Sequence, residues 1–220
     1  MLKLLFLRHG ESVANNSKQF CGQYDSPLTE LGLIQAEEVA QFIFENYKVD
    51  AIYSSDLLRV KQTVAPTVKA FGVTPRETKL LREVDVGWWQ GMTFSNVEKT
   101  DFENFKRYID GDTTVKLGGK ECLEDLRERA LNIVQTILTS VDCGDKDKTV
   151  VVATHGGIIR MLVETYLNLT DLEMRKKHPI FNASITEIDY LDGKPAIKRI
   201  SFNEYLSNKT CVSAFDGKIK

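Results

Sequence analysis

The 220-residue chain has little of what cross-links or anchors a protein. Its four cysteines, Cys21, Cys122, Cys143 and Cys211, are scattered without the paired spacing of a metal site, and read as free thiols of a reducing compartment. Net charge is also scarce: 29 Lys and Arg against 31 Asp and Glu leave -2. That balance gives no general attraction to nucleic acid or to an anionic membrane, so any positive potential is local. No apolar run approaches the length of a bilayer span. The stretch Leu2 to Leu7 is too short for a secretory signal and runs straight into Arg8-His9. Repeats, low-complexity tracts and domain linkers are missing as well. What remains is the expectation of a cytoplasmic protein, long enough for one large domain or two small ones and for a sizeable core.

Histidine is rarer still, and its placement is informative. Two of the three histidines each follow an apolar run that reads as a buried parallel strand. Leu2-Lys3-Leu4-Leu5-Phe6-Leu7 ends in Arg8-His9-Gly10-Glu11-Ser12. Thr149-Val150-Val151-Val152-Ala153-Thr154 ends in His155-Gly156-Gly157. Strand ends of this kind deliver polar groups to the carboxyl edge of an α/β sheet, where ligands bind. Taken alone, Arg8-His9-Gly10 reads equally well as a basic strand end on the surface. Two strand-end imidazoles with Arg8 make a compact cationic pocket suited to a phosphoryl group. The third histidine, His178, lies beside Pro179 in the charged run Arg175-Lys176-Lys177; it reads as structural, and the run as a solvated loop.

The rest of the chain reads as alternating strands and helices. Asn15 to Ser26 is polar and reads as a loop. Thr29 caps a helix that continues to about Glu45, with Gly32 inside it. Ala51-Ile52-Tyr53 is a short strand, and Ser54-Ser55-Asp56 offers cap chemistry to a helix from Leu57 to Phe71 that Pro66 should kink. Arg59 falls in the first turn of that helix, against the dipole, as a residue awaiting an anion or as a solvated surface cation. A short strand fits within Gly72 to Lys79. Glu83 and Asp85 precede the indole-rich turn Gly87-Trp88-Trp89-Gln90-Gly91. Carboxylates desolvated beside aromatics are suited to acid catalysis; two surface carboxylates beside a core tryptophan are the alternative. Phe94 to Ile109 suggests two short helices with an aromatic face, Cys122 to Ser140 a strong amphipathic helix, and Gly156 to Leu167 another. Asp142 to Lys148 reads as a charged loop, Ala183 to Tyr190 as an antiparallel or edge strand, and Asp192-Gly193 as a hairpin turn.

Together these blocks resemble the histidine phosphatase superfamily, also called the phosphoglycerate mutase-like family. The likeness runs through Leu7-Arg8-His9-Gly10-Glu11-Ser12 with Asn15, then Phe20, Gly22, Asp25, Pro27-Leu28-Thr29, Gly32 and Gln35-Ala36. It continues in Tyr53-Ser54-Ser55-Asp56-Leu57-Leu58-Arg59 with Gln62-Thr63, in Leu81-Arg82-Glu83 with Gly87, Trp89 and Gly91, and in Thr154-His155-Gly156-Gly157. Two departures stand out. Gly118-Gly119-Lys120-Glu121-Cys122 replaces a Gly-Gly-Glu-Ser pattern, and Gln90 stands where many relatives have Glu.

The resemblance implies an α/β three-layer sandwich: a central, mostly parallel sheet with one antiparallel strand and helices on both faces. One domain would span residues 1–206, with a small cap segment around 92–120 that shapes the substrate pocket, followed by a tail over 207–220. It implies a metal-independent phosphomonoester hydrolase with a phosphohistidine intermediate. His9 would be the nucleophile, Glu83 the acid, and His155, Arg8 and Arg59 the holders of the phosphoryl oxygens, joined by Asn15, Gly22 and the N–H of Gly156. No metal and no cofactor are called for. The partner is a small phosphate monoester, with no nucleic acid or membrane, and a homodimer is left open. Trp88, Trp89 and the 94–109 segment are expected to select the substrate. Three rivals are weighed. A phosphoglycerate mutase would carry a longer insertion with an Arg-Arg pair, which this chain lacks. A non-catalytic phospho-ligand binder would lack the nucleophilic His or the acid. A metal site at His9 and His155 has no ligand-spacing motif and has Arg8 beside it to repel a cation.

Overall fold

Leu4 and Phe6 turn to one side of the first strand and Leu5 and Leu7 to the other, and each pair enters a separate core. In the computed structural model, which describes residues 1–141 and 146–210, the first elements are β1 (Leu2–Arg8), α1 (Val13–Asn16), α2 (Glu30–Asn46), β2 (Ala51–Ser55), α3 (Leu58–Phe71) and β3 (Arg76–Thr78). They are followed by α4 (Phe94–Thr100), α5 (Phe102–Ile109), α6 (Leu123–Ser140), β4 (Lys148–Thr154), α7 (Gly156–Leu167), α8 (Asp171–Lys177), β5 (Ile185–Leu191) and β6 (Lys194–Phe202). The strands form one six-stranded sheet in the order β3-β2-β4-β1-β5-β6. Only β5 runs against the others. Helices α2 and α3 cover the Leu5 face, whereas α6 and α7, with α4 and α5 packed beyond, cover the Leu4 face. This is the expected three-layer α/β architecture.

One pairing positions the site. β1 and β4 are parallel neighbours in a register that sets Arg8 against Thr154. Their next residues, His9 and His155, therefore leave the sheet side by side, with the His9 N–H donating to the Thr154 carbonyl at 3.1 Å.

Several local expectations hold. Thr29 caps α2 through the Gly32 N–H. The Asp192-Gly193 turn has φ of 50° and 73°, the left-handed pair that a two-residue hairpin needs. Gly32 is inside α2 because a Cβ there would stand 2.0 Å from the Glu11 carbonyl oxygen. The helix gives up some propensity so that it can press on the turn after β1.

Others are corrected. The 15–26 loop begins in a single-turn helix, α1, capped by Ser12. The serines before α3 do not cap it: β2 continues through Ser55, and the Leu58 N–H is met from outside by Asp25 Oδ1 at 2.8 Å. Asp56 is drawn away by Arg82 in a two-bond fork at 2.7 and 2.6 Å. The basic run 175–177 is the end of α8 rather than a loop, and the Arg175 side chain is 3% exposed against Asp171, its i−4 neighbour. Of the two readings offered for the 183–190 segment the antiparallel one holds: β5 pairs antiparallel with β1 and β6, is interior to the sheet, and is buried from Ile185 to Tyr190. Trp89 is wholly buried among Phe20, Phe105 and Tyr108, with its indole N–H on Asp101, so it anchors α4 and α5. Trp88 is exposed. In the start of the tail, Thr210 bonds to Gln35 and Asn182. Cys143, Cys211, most of the 142–148 loop and the tail from 211 lie outside the described residues. Among the described residues no helix is long and apolar enough to cross a membrane.

Candidate active site

Arg59, placed by the first turn of α3, is the hub. Its side chain is buried, and its four hydrogen bonds all go to neutral acceptors. Nε donates to His9 Nε2 at 3.2 Å, Nη1 to the Tyr24 carbonyl at 2.9 Å, and Nη2 to the Gly22 carbonyl at 2.8 Å and to His155 Nδ1 at 3.1 Å. A guanidinium has donors only, so both ring nitrogens that face it must be lone pairs.

That requirement fixes the tautomers. His9 Nδ1 lies 2.7 Å from the Gly10 carbonyl, which can only accept, so the ring carries its proton at Nδ1 and a free pair at Nε2. His155 is the mirror case: Nδ1 accepts from Arg59, and Nε2 carries the proton to Ser55 Oγ at 3.0 Å. The ring centroids are 5.2 Å apart. Both imidazoles are held well below the ordinary histidine range. Burial is the main cause for each, followed by the charge of Arg59, with Arg8 adding a smaller push.

Arg8 completes the cationic floor. Nη1 donates to the Ile180 carbonyl, and Nε is buried without a partner. A Cβ on Gly156 would stand 3.3 Å from that Nε, so the guanidinium lies over the start of α7. Neither Arg8 nor Arg59 has a carboxylate partner among the described residues. Burying an unpaired guanidinium costs several kcal/mol on general grounds, a cost that an incoming anion offsets.

Glu83 also stands at the first turn of α7. Its two oxygens accept from the N–H groups of Val84 at 2.9 Å and Gly157 at 3.1 Å. Gly157 is what admits it, because a Cβ there would stand 2.1 Å from Glu83 Oε1. The loop that carries Glu83 is tied to the β4 end by Thr154 Oγ1 on the Leu81 carbonyl, and to α6 by Arg129 on the carbonyls of Arg82 and Glu83. Asp85 instead accepts from the Gly87 N–H, in the loop that meets Glu121.

The remaining sequence candidates enter by different routes. Gly22 reaches the site through its carbonyl on Arg59. Asn15 Oδ1 is taken by Ser12 and by Asn182, which leaves Nδ2 as its remaining donor. Gln90 has a structural explanation: its Oε1 accepts from the Gln23 N–H at 2.8 Å and so pins the loop whose carbonyls hold Arg59. Gly10 is small because a Cβ would stand 2.6 Å from the Gly32 carbonyl oxygen, so it serves the seating of α2 rather than substrate access.

Sequence reasoning missed Ser55, Thr63, Arg129, Gly157 and Asn182 as supports. Thr63 follows Arg59 by one helical turn and bonds both its carbonyl and the Gly10 N–H. That i, i+4 spacing was a usable signal. Asn182, which reaches the His9 and Gly10 carbonyls, gives none, since only the tertiary fold brings it there.

Comparison with known proteins identifies the family. The sequence model described as histidine phosphatase superfamily (branch 1) matches residues 4–203. A metal-independent phosphoserine phosphatase of Arabidopsis thaliana is 29% identical over 99% of this chain and 89% of its own length. Phosphoglycerate mutase-like protein 4 of the same plant is 32% identical over 87% of this chain and 80% of its own. A phosphoserine phosphatase mutant of Entamoeba histolytica, solved with phosphoserine, superposes with a TM-score of 0.78 at 26% identity, covering 94% of this chain and all (100%) of the other.

Proposed function

Since the chain belongs to the histidine phosphatase superfamily and is a phosphatase, we propose that it hydrolyses a small phosphomonoester through a phosphohistidine at His9. The observation that carries this reading is the Nδ1–H of His9 on the Gly10 carbonyl, which leaves Nε2 as a lone pair at the cationic floor.

The proposed steps follow from the donors present. The phosphoryl oxygens draw Arg59 and Arg8 onto themselves, and Arg59 thereby uncovers His9 Nε2. That lone pair attacks phosphorus as the ester oxygen departs, taking a proton from Glu83. The Gly10 carbonyl supports the positive charge that spreads to Nδ1. His155 meets the phosphoryl group as a donor only after taking up a proton at Nδ1, which a dianion favours. Glu83, now a carboxylate, removes a proton from water, which attacks phosphorus and breaks the P–N bond. Phosphate leaves and His9 is regenerated.

Steady-state assays of the purified protein on O-phosphoserine and 3-phosphoglycerate test this reading. Phosphate release is expected from at least one of them, and His9→Ala should lower it by about a thousandfold or more. Interconversion of phosphoglycerates with little phosphate release would favour a mutase instead, and no turnover at all would favour a binding protein.

A further inference from the structure

The proposed steps need two groups held at one separation: Arg59, in the first turn of α3, and Glu83, in the loop that follows β3. The 22–25 segment lies between them. The carbonyls of Gly22 and Tyr24 accept from Arg59 at 2.8 and 2.9 Å, and Asp25 Oδ1 meets the Leu58 N–H at the start of the same helix at 2.8 Å. Gln23 sits between those two carbonyls, and its own bonds go to the loop that carries the acid. Its N–H donates to Gln90 Oε1 at 2.8 Å, its Nε2 donates to the Glu83 carbonyl at 3.2 Å, and its Oε1 accepts from Arg82 Nη1 at 3.2 Å.

The amide can sit only one way round. A guanidinium has donors only and a carbonyl only accepts, so Oε1 must face Arg82 and Nε2 must face Glu83. Arg82 is itself a fixed post. Its Nε and Nη2 fork Asp56 at 2.7 and 2.6 Å, and that pairing holds the Asp56 carboxyl below its usual range. One glutamine side chain thus grips two consecutive residues, 82 and 83. The Glu83 carbonyl has a second tie, from Arg129 Nη2 at 3.2 Å. Arg129 belongs to α6 and pairs with Glu121, so it fixes the acid to that helix. Gln23 fixes it to the loop that holds the cation.

We infer that Gln23 is a positioning residue for the acid: it ties the backbone of Glu83 to the loop that holds Arg59, so that the leaving oxygen meets Glu83 while Arg59 grips the phosphoryl group. The inference rests on the phosphatase reading and on Glu83 as its acid. The Glu83 carboxyl is seated on the N–H groups of Val84 and Gly157, and that seat depends on where its own backbone lies. A displaced backbone moves the carboxyl, and small misplacements of a reacting group are costly.

The test compares phenyl phosphate with p-nitrophenyl phosphate, two aryl esters of similar shape whose leaving oxygens differ in basicity. In Gln23→Ala the ratio of kcat/KM for phenyl phosphate to that for p-nitrophenyl phosphate should fall by about tenfold or more, part of the roughly hundredfold that a positioned acid contributes. In a Glu83→Gln background the same substitution should change the ratio by less than about twofold, since residues that act through one another are not additive. Gln23→Glu is nearly isosteric and keeps an oxygen for Arg82, but it sets a second oxygen against the Glu83 carbonyl. It should lower the ratio as Gln23→Ala does, and it gives the reading if the alanine variant does not fold. Equal losses on both esters, an equal fall of the ratio in both backgrounds, or a Gln23→Glu variant with the wild-type ratio would each overturn the inference while leaving the phosphatase reading in place. Wild-type protein that hydrolyses neither ester would sink that reading, and the inference with it.

Discussion

The Nε of Arg59 lies 3.2 Å from the Nε2 of His9, so the lone pair proposed to attack phosphorus is covered by a guanidinium until an anion draws that guanidinium away. The same cation also reaches His155 and two loop carbonyls. It is a hub because a planar fork serves several acceptors at once.

Arg59→Lys should therefore be far from conservative. An ammonium is a point charge and cannot span both imidazoles and both carbonyls. We expect kcat/KM to fall by about a hundredfold or more, the scale of one preorganised donor, while far-UV circular dichroism is retained. A loss of less than threefold would show that charge alone suffices.

Hydrolysis should survive exhaustive treatment with EDTA. Arg8, Arg59 and the imidazoles supply the positive charge that a metal would otherwise bring to the phosphoryl oxygens. Loss of activity on chelation, restored by a divalent ion, would contradict this.

Glu83→Gln should slow esters with basic leaving oxygens more than p-nitrophenyl phosphate, whose leaving group needs little protonation. Gly157→Ala should show the same pattern, because its Cβ would enter the space of Glu83 Oε1, 2.1 Å away, and move the acid rather than the backbone. Equal losses on both ester types would place the acid elsewhere.

Acid should destabilise the fold through the two imidazoles. Burial first, then Arg59, holds His9 and His155 well below their ordinary value, so both are neutral in the folded protein. In the unfolded chain they take up protons below about pH 6.5. The unfolded state then binds more protons, and stability falls as pH drops below that point, by at most about 1.4 kcal/mol per imidazole per pH unit. Urea titrations between pH 7.5 and 5 should show a shallower dependence in His9→Asn/His155→Asn than in wild type. The comparison cancels the groups common to both, and identical slopes would contradict the assignment.

How much of this was legible in the sequence depends on how each residue reaches the site. His9 and His155 were readable because each ends an apolar strand, and parallel pairing of those strands brings their ends together. Arg59 was readable as a cation that its own helix dipole disfavours. Glu83 was separable from Asp85 only by family likeness, since both stand near the same indoles. Asn182 and Arg129 act through backbone carbonyls distant in sequence, and no local pattern marks such contacts. The cap of α3 was misread for a similar reason: Asp56 prefers the Arg82 fork, and the helix start borrows Asp25 from another loop. Arg175 looked solvated because composition does not reveal that α8 turns it onto Asp171 and the Tyr108 ring.

The central claim is that His9 Nε2 becomes bonded to phosphorus during turnover, and rapid quench with 32P-labelled substrate tests it most directly. A phosphoramidate on imidazole is labile in acid and persists in alkali. The account predicts protein-bound label that is lost in acid, survives base, maps to the peptide containing His9, is absent from His9→Ala and is reduced in His155→Ala. Label that survives acid, or that persists in His9→Ala and vanishes in His155→Ala, would contradict it.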